Sequence, residues 1–168
     1  LILPPGYSNK TIKAYVSLSK NGDFLGIILG DDTPVLCPDI GSLANGKEKC
    51  NPIVEKRAVL FKNESDSEDK AKTKRDFFYQ VLKDGSNCVP EFEICVKTTE
   101  DEEKVQAIEE ALNRNKIKEL DRISFMVDGR KIAQADGLQE WWNVYRERFF
   151  DVGKKKRSLC LITGEDTI

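Results

Sequence analysis

Five polar side chains in one short stretch are the residues best suited to chemistry here: Lys47, Lys49, Asn51, Lys56 and Arg57. The segment Asn45-Gly-Lys-Glu-Lys-Cys-Asn-Pro-Ile-Val-Glu-Lys-Arg57 sets four cations against two carboxylates, Glu48 and Glu55. Asn45-Gly46 and Asn51-Pro52 are turn dipeptides, so the stretch reads as an ordered surface loop. Lysine and arginine can neutralise phosphates there, and an asparagine amide offers a donor and an acceptor to a base edge. The competing reading is a solvated connector, because exposed loops are polar in any case. Lys154, Lys155, Lys156 and Arg157 form a second basic run, a secondary candidate for contact with nucleic acid or a partner.

Other chemistries are poorly served. The chain has no histidine, so it holds no Ser-His or Cys-His pair and no histidine metal ligand. It contains no Gly-rich phosphate loop, no H-E-x-x-H and no zinc spacing. Asp31-Asp32 stands before Thr33-Pro34 and reads as a turn rather than a cation site. The cysteines Cys37, Cys50, Cys88, Cys95 and Cys160 are odd in number and include no C-x-x-C pair, which predicts free thiols in a reducing cytoplasm. A reactive cysteine would need a base that no motif supplies. No signal peptide opens the chain and no apolar run is long enough to span a bilayer. The expectation is a non-enzymatic cytoplasmic protein with no catalytic residue, no cofactor and no metal.

The elements that must position the loop follow from hydrophobic period and turn chemistry. Leu3-Pro-Pro-Gly-Tyr-Ser8 is an extended lead with a turn at Gly6. Thr11 to Leu18 alternates, with Ile12, Ala14, Val16 and Leu18 on one face, and Asn21-Gly22 turns it into a returning strand, Phe24 to Leu29. Val35 to Cys37 reads as a short third strand of this meander. After the loop, Ser65-Asp-Ser-Glu68 fits a capping box that starts a helix over 66–83, with Phe78, Val81 and Leu82 docking its far end. The same helix carries Lys70, Lys72, Lys74 and Arg75, which read as a solvated basic face. Val89 to Lys97 fits either a strand or a helix. A capping box at Thr99-Glu-Asp-Glu102 predicts a helix to Asn115 with Val105, Ile108 and Leu112 inward. Eight acidic and two basic residues lie between Glu91 and Glu110, a face that would repel phosphates. Arg122 to Val127 is a strand turned by Asp128-Gly129, with a return at Lys131 to Ala133. Leu138, Trp141, Trp142, Tyr145 and Phe149 fall on a helical stripe that is expected to pack on the sheet. Ser158 to Ile162 closes as a strand.

Mixed helices and strands without βα alternation give an α+β class: an antiparallel hairpin or meander sheet packed with about three helices. The length of 168 residues suits one domain. A hydrophobic share of 39% suffices for a core, and a net charge of −2 means that any nucleic-acid contact must come from a local patch.

Two anchors carry a resemblance. Leu3-Pro-Pro-Gly-Tyr-Ser8 before a hairpin, and Cys160-Leu-Ile-Thr-Gly-Glu165 after a Trp-containing helix and a basic linker, resemble the two ends of an amino-terminal domain. That domain belongs to the large subunit of the type I-C CRISPR interference complex, Cascade. The resemblance covers essentially the whole chain, which starts without Met and reads as the amino-terminal piece of a longer subunit, a single domain over 1–168. It implies a domain that recognises the protospacer-adjacent motif on double-stranded target DNA and helps to start R-loop formation. The implied partners are target double-stranded DNA, the guide RNA, the backbone subunits of the complex and a helicase-nuclease recruited later, with no membrane. The resemblance places the reading element at the loop, and the five residues named first are chosen within it by chemistry. The alternative is an interaction module that docks onto the backbone subunits or the 5′ handle of the guide RNA and reads no DNA.

Overall fold

The hairpin around Asn21-Gly22 forms as the alternation predicts. Strand β2 (Ala14–Leu18) pairs antiparallel with β3 (Phe24–Leu29), from Ala14 opposite Leu29 to Leu18 opposite Phe24. This computed structural model describes residues 3–61 and 68–150. The Ser65 cap, Cys160, the closing strand and the run Lys154 to Arg157 lie outside the described residues.

The hairpin is only half of the sheet's centre. On its other side β2 pairs in parallel with β6 (Arg122–Val127), Ala14 opposite Ile123 through Leu18 opposite Val127. Every β2 residue is buried, including Tyr15 and Ser17, which alternation would have left to solvent; the Lys131 ammonium lies over the Tyr15 ring at 5.3 Å on that second face. The short β5 (Glu55–Lys56) and β7 (Arg130–Lys131) both pair antiparallel with β6, and the main path runs β3-β2-β6-β5. The expected return at Lys131 to Ala133 shortens to β7, and a 3-10 turn over Ile132–Gln134 follows.

The third meander strand departs from expectation. The turn at Asp31 to Pro34 carries the chain away from β3, and β4 (Val35–Pro38) pairs with β1 (Tyr7–Lys10) in a separate two-stranded sheet. Among the described residues β3 keeps an unpaired outer edge, on which Leu25, Ile28 and Leu29 are exposed.

Helices cover the rest. α1 (Arg57–Leu60) follows β5 directly. α2 (Glu68–Gly85) buries Phe78, Val81 and Leu82 as predicted, but runs on through Asp84 to Gly85. A Cβ at Gly85 would lie 2.7 Å from Trp141 Cε2 and 2.9 Å from the Phe92 ring, so glycine is what lets the aromatics close on this turn. The ambiguous segment is helix α3 (Pro90–Thr99), with Pro90 in its first turn and Phe92, Cys95 and Val96 buried. α4 (Glu102–Arg114) buries Ile108 and Leu112. Its cap is Asp101, which accepts from Glu103 N and Lys104 N; Thr99 Oγ1 instead donates to Val96 O in the preceding helix, at 2.8 Å.

α5 (Leu138–Tyr145) and the short α6 (Glu147–Phe150) carry the aromatic stripe. Leu138, Trp141, Trp142 and Tyr145 are buried, so the core reading of these rings holds. Their ring partners lie on helices rather than on the sheet. Trp141 stands 5.1 Å from Phe92, edge to face, and Phe149 stands 6.0 Å from Phe77. The helical stripe thus closes a second layer on α2 and α3. No helix among the described residues is long and apolar enough to cross a membrane.

Candidate nucleic-acid interface

The loop between β4 and β5 is fastened along its length by side chains that engage its backbone. At its start Asp39 accepts from Gly41 N at 2.6 Å and from Ser8 Oγ at 2.7 Å, and pairs with the buried Lys10 at 3.1 Å. Midway, Asn51 Oδ1 accepts from Ile40 N at 2.9 Å. The buried Glu55 accepts from Asn51 N at 3.0 Å and from Lys56 N at 2.9 Å. Ser124 of β6, fully buried, donates to Ile53 O at 2.6 Å. Ile53 has φ +73°, and Val54 N donates to Pro52 O at 2.8 Å. That is a γ-turn in a conformation β-branched residues avoid, and it persists only where the surroundings over-determine it. From α2, Lys74 Nζ donates to Ala44 O at 2.9 Å, and Arg75 donates to Val59 O and Ala58 O. Lys74 and Arg75 are therefore clamps on the loop and its exit rather than members of a solvated face, while Lys72 pairs with Asp76.

Burial pushes the Asp39 carboxyl up, but the hydrogen bonds from Ser8, Gly41 and Lys10, with the Lys10 charge, outweigh it and hold the group below its ordinary value. A depressed carboxylate contributes stability above its unfolded value of 3.8, and that contribution is lost as pH falls through the lower folded value. Denaturant titrations from pH 5 downward should show the fall, and Asp39→Asn should be less stable at pH 6 and flatter across that range. Parallel curves for the two proteins would count against the clamp.

The five residues chosen from sequence separate once folded. Lys47 and Lys56 are exposed, and Lys49 and Asn51 are half-buried. Arg57 is 2% exposed, its Nη1 donates to Ile117 O at 2.7 Å, and its N–H donates to Asp121 O at 2.8 Å. Arg57 thus fastens the connector between α4 and β6 and leaves the surface set. The reason is local: it opens α1, whose first turn faces inward, whereas Lys56 one residue earlier lies on the open side of β5.

Two exposed cations that sequence reasoning passed over stand beside Lys56. Arg122 is its cross-strand partner, and Lys13 N donates to Arg122 O at 2.8 Å. Their signal was the parallel β2–β6 pairing, which joins segments far apart in sequence. Charge is segregated across the sheet: the acidic α4 packs on β3 at one edge, and the loop enters through β5 at the other.

Cys37, Cys50, Cys88 and Cys95 are free thiols. Burial pushes Cys37 up to about 12 and raises Cys50 and Cys95 further, so these three pack as small apolar groups and supply little thiolate at neutral pH.

The profile of a family described as CRISPR-associated protein (Cas_Csd1) matches residues 1–168. No curated protein matches the chain.

Proposed function

The chain belongs to the CRISPR-associated Cas_Csd1 family, and from that membership and the fastened loop we propose that it recognises the protospacer-adjacent motif on double-stranded target DNA. In this reading it is the non-enzymatic amino-terminal domain of the large subunit of a type I-C effector complex. It helps to start R-loop formation, and a separate helicase-nuclease makes the cut. The observation that carries the reading is the loop itself. A backbone anchored on both sides of residues 45–49, and strained at Ile53, presents Lys47, Lys49 and Asn51 from fixed ends, which is what sequence readout needs and a mere connector does not.

The geometry sharpens the role of Asn51. Its amide oxygen already accepts from Ile40 N, and among the described residues its amide nitrogen donates to no group. Reading therefore goes through Nδ2 as a donor to a base acceptor, such as guanine O6 or N7 or thymine O4 in the major groove, or adenine N3 or thymine O2 in the minor groove. Asn51→Asp keeps the acceptor for Ile40 N and removes the donor. In the assembled complex it should lose discrimination between correct and altered motifs, on the order of 1–3 kcal/mol, beyond the uniform loss on every duplex, and the lower melting temperature, that a carboxylate added beside the buried Glu55 brings. Asn51→Ala removes the loop contact as well and should also cost about 1 kcal/mol of stability. Wild-type discrimination by Asn51→Asp would reject this residue as the reader.

A second reading, docking onto the backbone subunits, is favoured by the outer edge of β3. Among the described residues no strand pairs with that side of β3, and beyond the part that α4 packs against, Leu25, 64% exposed, Ile28 and Leu29 offer a template for strand addition by another chain. Failure of the complex to assemble when Leu25 and Leu29 become lysine would support it.

A further inference from the structure

The sheet register assembles a row of three cations that the sequence keeps apart. Lys13 precedes β2 and is bonded through its N–H to Arg122 O, and Arg122 stands opposite Lys56. Arg122 and Lys56 are a registered cross-strand pair that shares a face, and Lys13, the residue before β2, adjoins the pair through its hydrogen bond to Arg122 O, which lines the three up in one row. The adjoining row, Ala14, Ile123 and Glu55, is buried, whereas Lys13, Arg122 and Lys56 are all exposed.

Among the described residues none of the three side chains is ion-paired. Asp121 accepts from Lys118 N at 2.7 Å, Asp31 accepts from Thr33 N at 2.9 Å, and Glu55 is buried under the loop; among the described residues none of them pairs with the row. Like charges directly opposite on neighbouring strands are destabilising, so the row lowers the stability of the domain until an anion lies along it. Strands stand ~4.8 Å apart, so the row is about 10 Å long. A nucleic-acid strand carries one charge per ~3.4 Å, which sets about one phosphate against each cation. Lys56 is also the last surface cation of the loop, so a backbone that crosses the loop continues onto the row.

We propose that Lys13, Arg122 and Lys56 form a phosphate-binding row that holds the backbone of the target duplex beside the loop. This inference rests on the duplex-binding reading above. It adds residues and a contact type that carry affinity without sequence preference.

The test is the salt dependence of duplex binding by the assembled complex, with Lys13→Gln, Arg122→Gln and Lys56→Gln singly and together. Each single change should lower the slope of log affinity against log salt by about 0.9, and the triple change by about 2.7. The losses should be equal for correct and altered motifs, and the melting temperature should hold or rise. An unchanged slope in the triple variant overturns the row, and so does failure of that variant to join the complex, which would assign the row to an acidic protein partner. Motif discrimination separates the two proposals. A lowered slope in a complex that never discriminates motifs keeps the row and rejects the motif reading. Intact discrimination with an unchanged slope does the reverse.

Discussion

Trp142→Ala is expected to destabilise the domain by about 3–5 kcal/mol and to lower its melting temperature on the order of 10 °C. The indole is fully buried, with the rings of Trp141, Tyr145 and Phe149 at 5.7, 6.3 and 6.1 Å. Its Nε1 donates to Gly6 O at 2.7 Å, so truncation removes a hydrogen bond as well as opening a cavity. Gly6 O also accepts from Asp39 N at 2.9 Å, and Asp39 caps the start of the loop. The effect should therefore travel. In hydrogen exchange, the amides of Ile40 and Gly41 should exchange faster in Trp142→Ala than in variants of equal stability made elsewhere. Trp142→Phe retains most of the volume but loses the N–H together with the rest of the five-membered ring, so it should cost less, about 1–2 kcal/mol. A loss below 1 kcal/mol for Trp142→Ala would show that the aromatic layer is not part of the cooperative core.

Local signals identified the elements that close on themselves. Asn21-Gly22 between two apolar strand segments is complete within one hairpin, and β2 pairs with β3 in a register that slips by one residue between Ser17 and Leu18, next to the turn. The spacing Val89, Phe92, Cys95 competes with Phe92, Ile94, Val96 in sequence. Helix wins because Pro90 suits a first turn and the aromatic layer offers the helical face a partner. Asp101 displaces Thr99 as a cap because Thr99 is already the end of α3, with its hydroxyl on Val96 O. What sequence could not show is pairing across distance. The parallel β2–β6 contact puts β2 at the centre of the sheet, while the placing of β6 beside the loop brings Ser124 to Ile53 O and sets Arg122 against Lys56. The loop was recognisable as a basic turn-rich stretch. Its anchoring was not, because the anchors come from three other segments: Ser8 and Lys10 from β1, Lys74 from α2 and Ser124 from β6.

Lys56 and Arg57, adjacent and chemically alike, should respond to substitution in opposite ways. Lys56 points outward from β5, so Lys56→Ala should change stability by no more than about 0.5 kcal/mol while lowering the salt slope of duplex binding by about 0.9. Arg57 lies inside, with Nη1 on Ile117 O. Arg57→Ala should cost about 3 kcal/mol, since a hydrogen bond to a charged group contributes roughly 1.5–3 kcal/mol and the buried stem packs as well. Arg57 N and Ala58 N also hold Asp121 O and Glu119 O, so this turn sets where β6 begins and where Arg122 stands. Any loss of binding in Arg57→Ala should track the unfolded fraction and disappear on cooling to a temperature where the variant is folded. Arg57→Lys fills the stem's space without the guanidinium and should fall between the two. The measurements are thermal melts and salt titrations on the same preparations. If Arg57→Ala melted like the parent and still lost salt dependence when fully folded, its side chain would be a phosphate ligand, and its buried place would have to open when DNA binds.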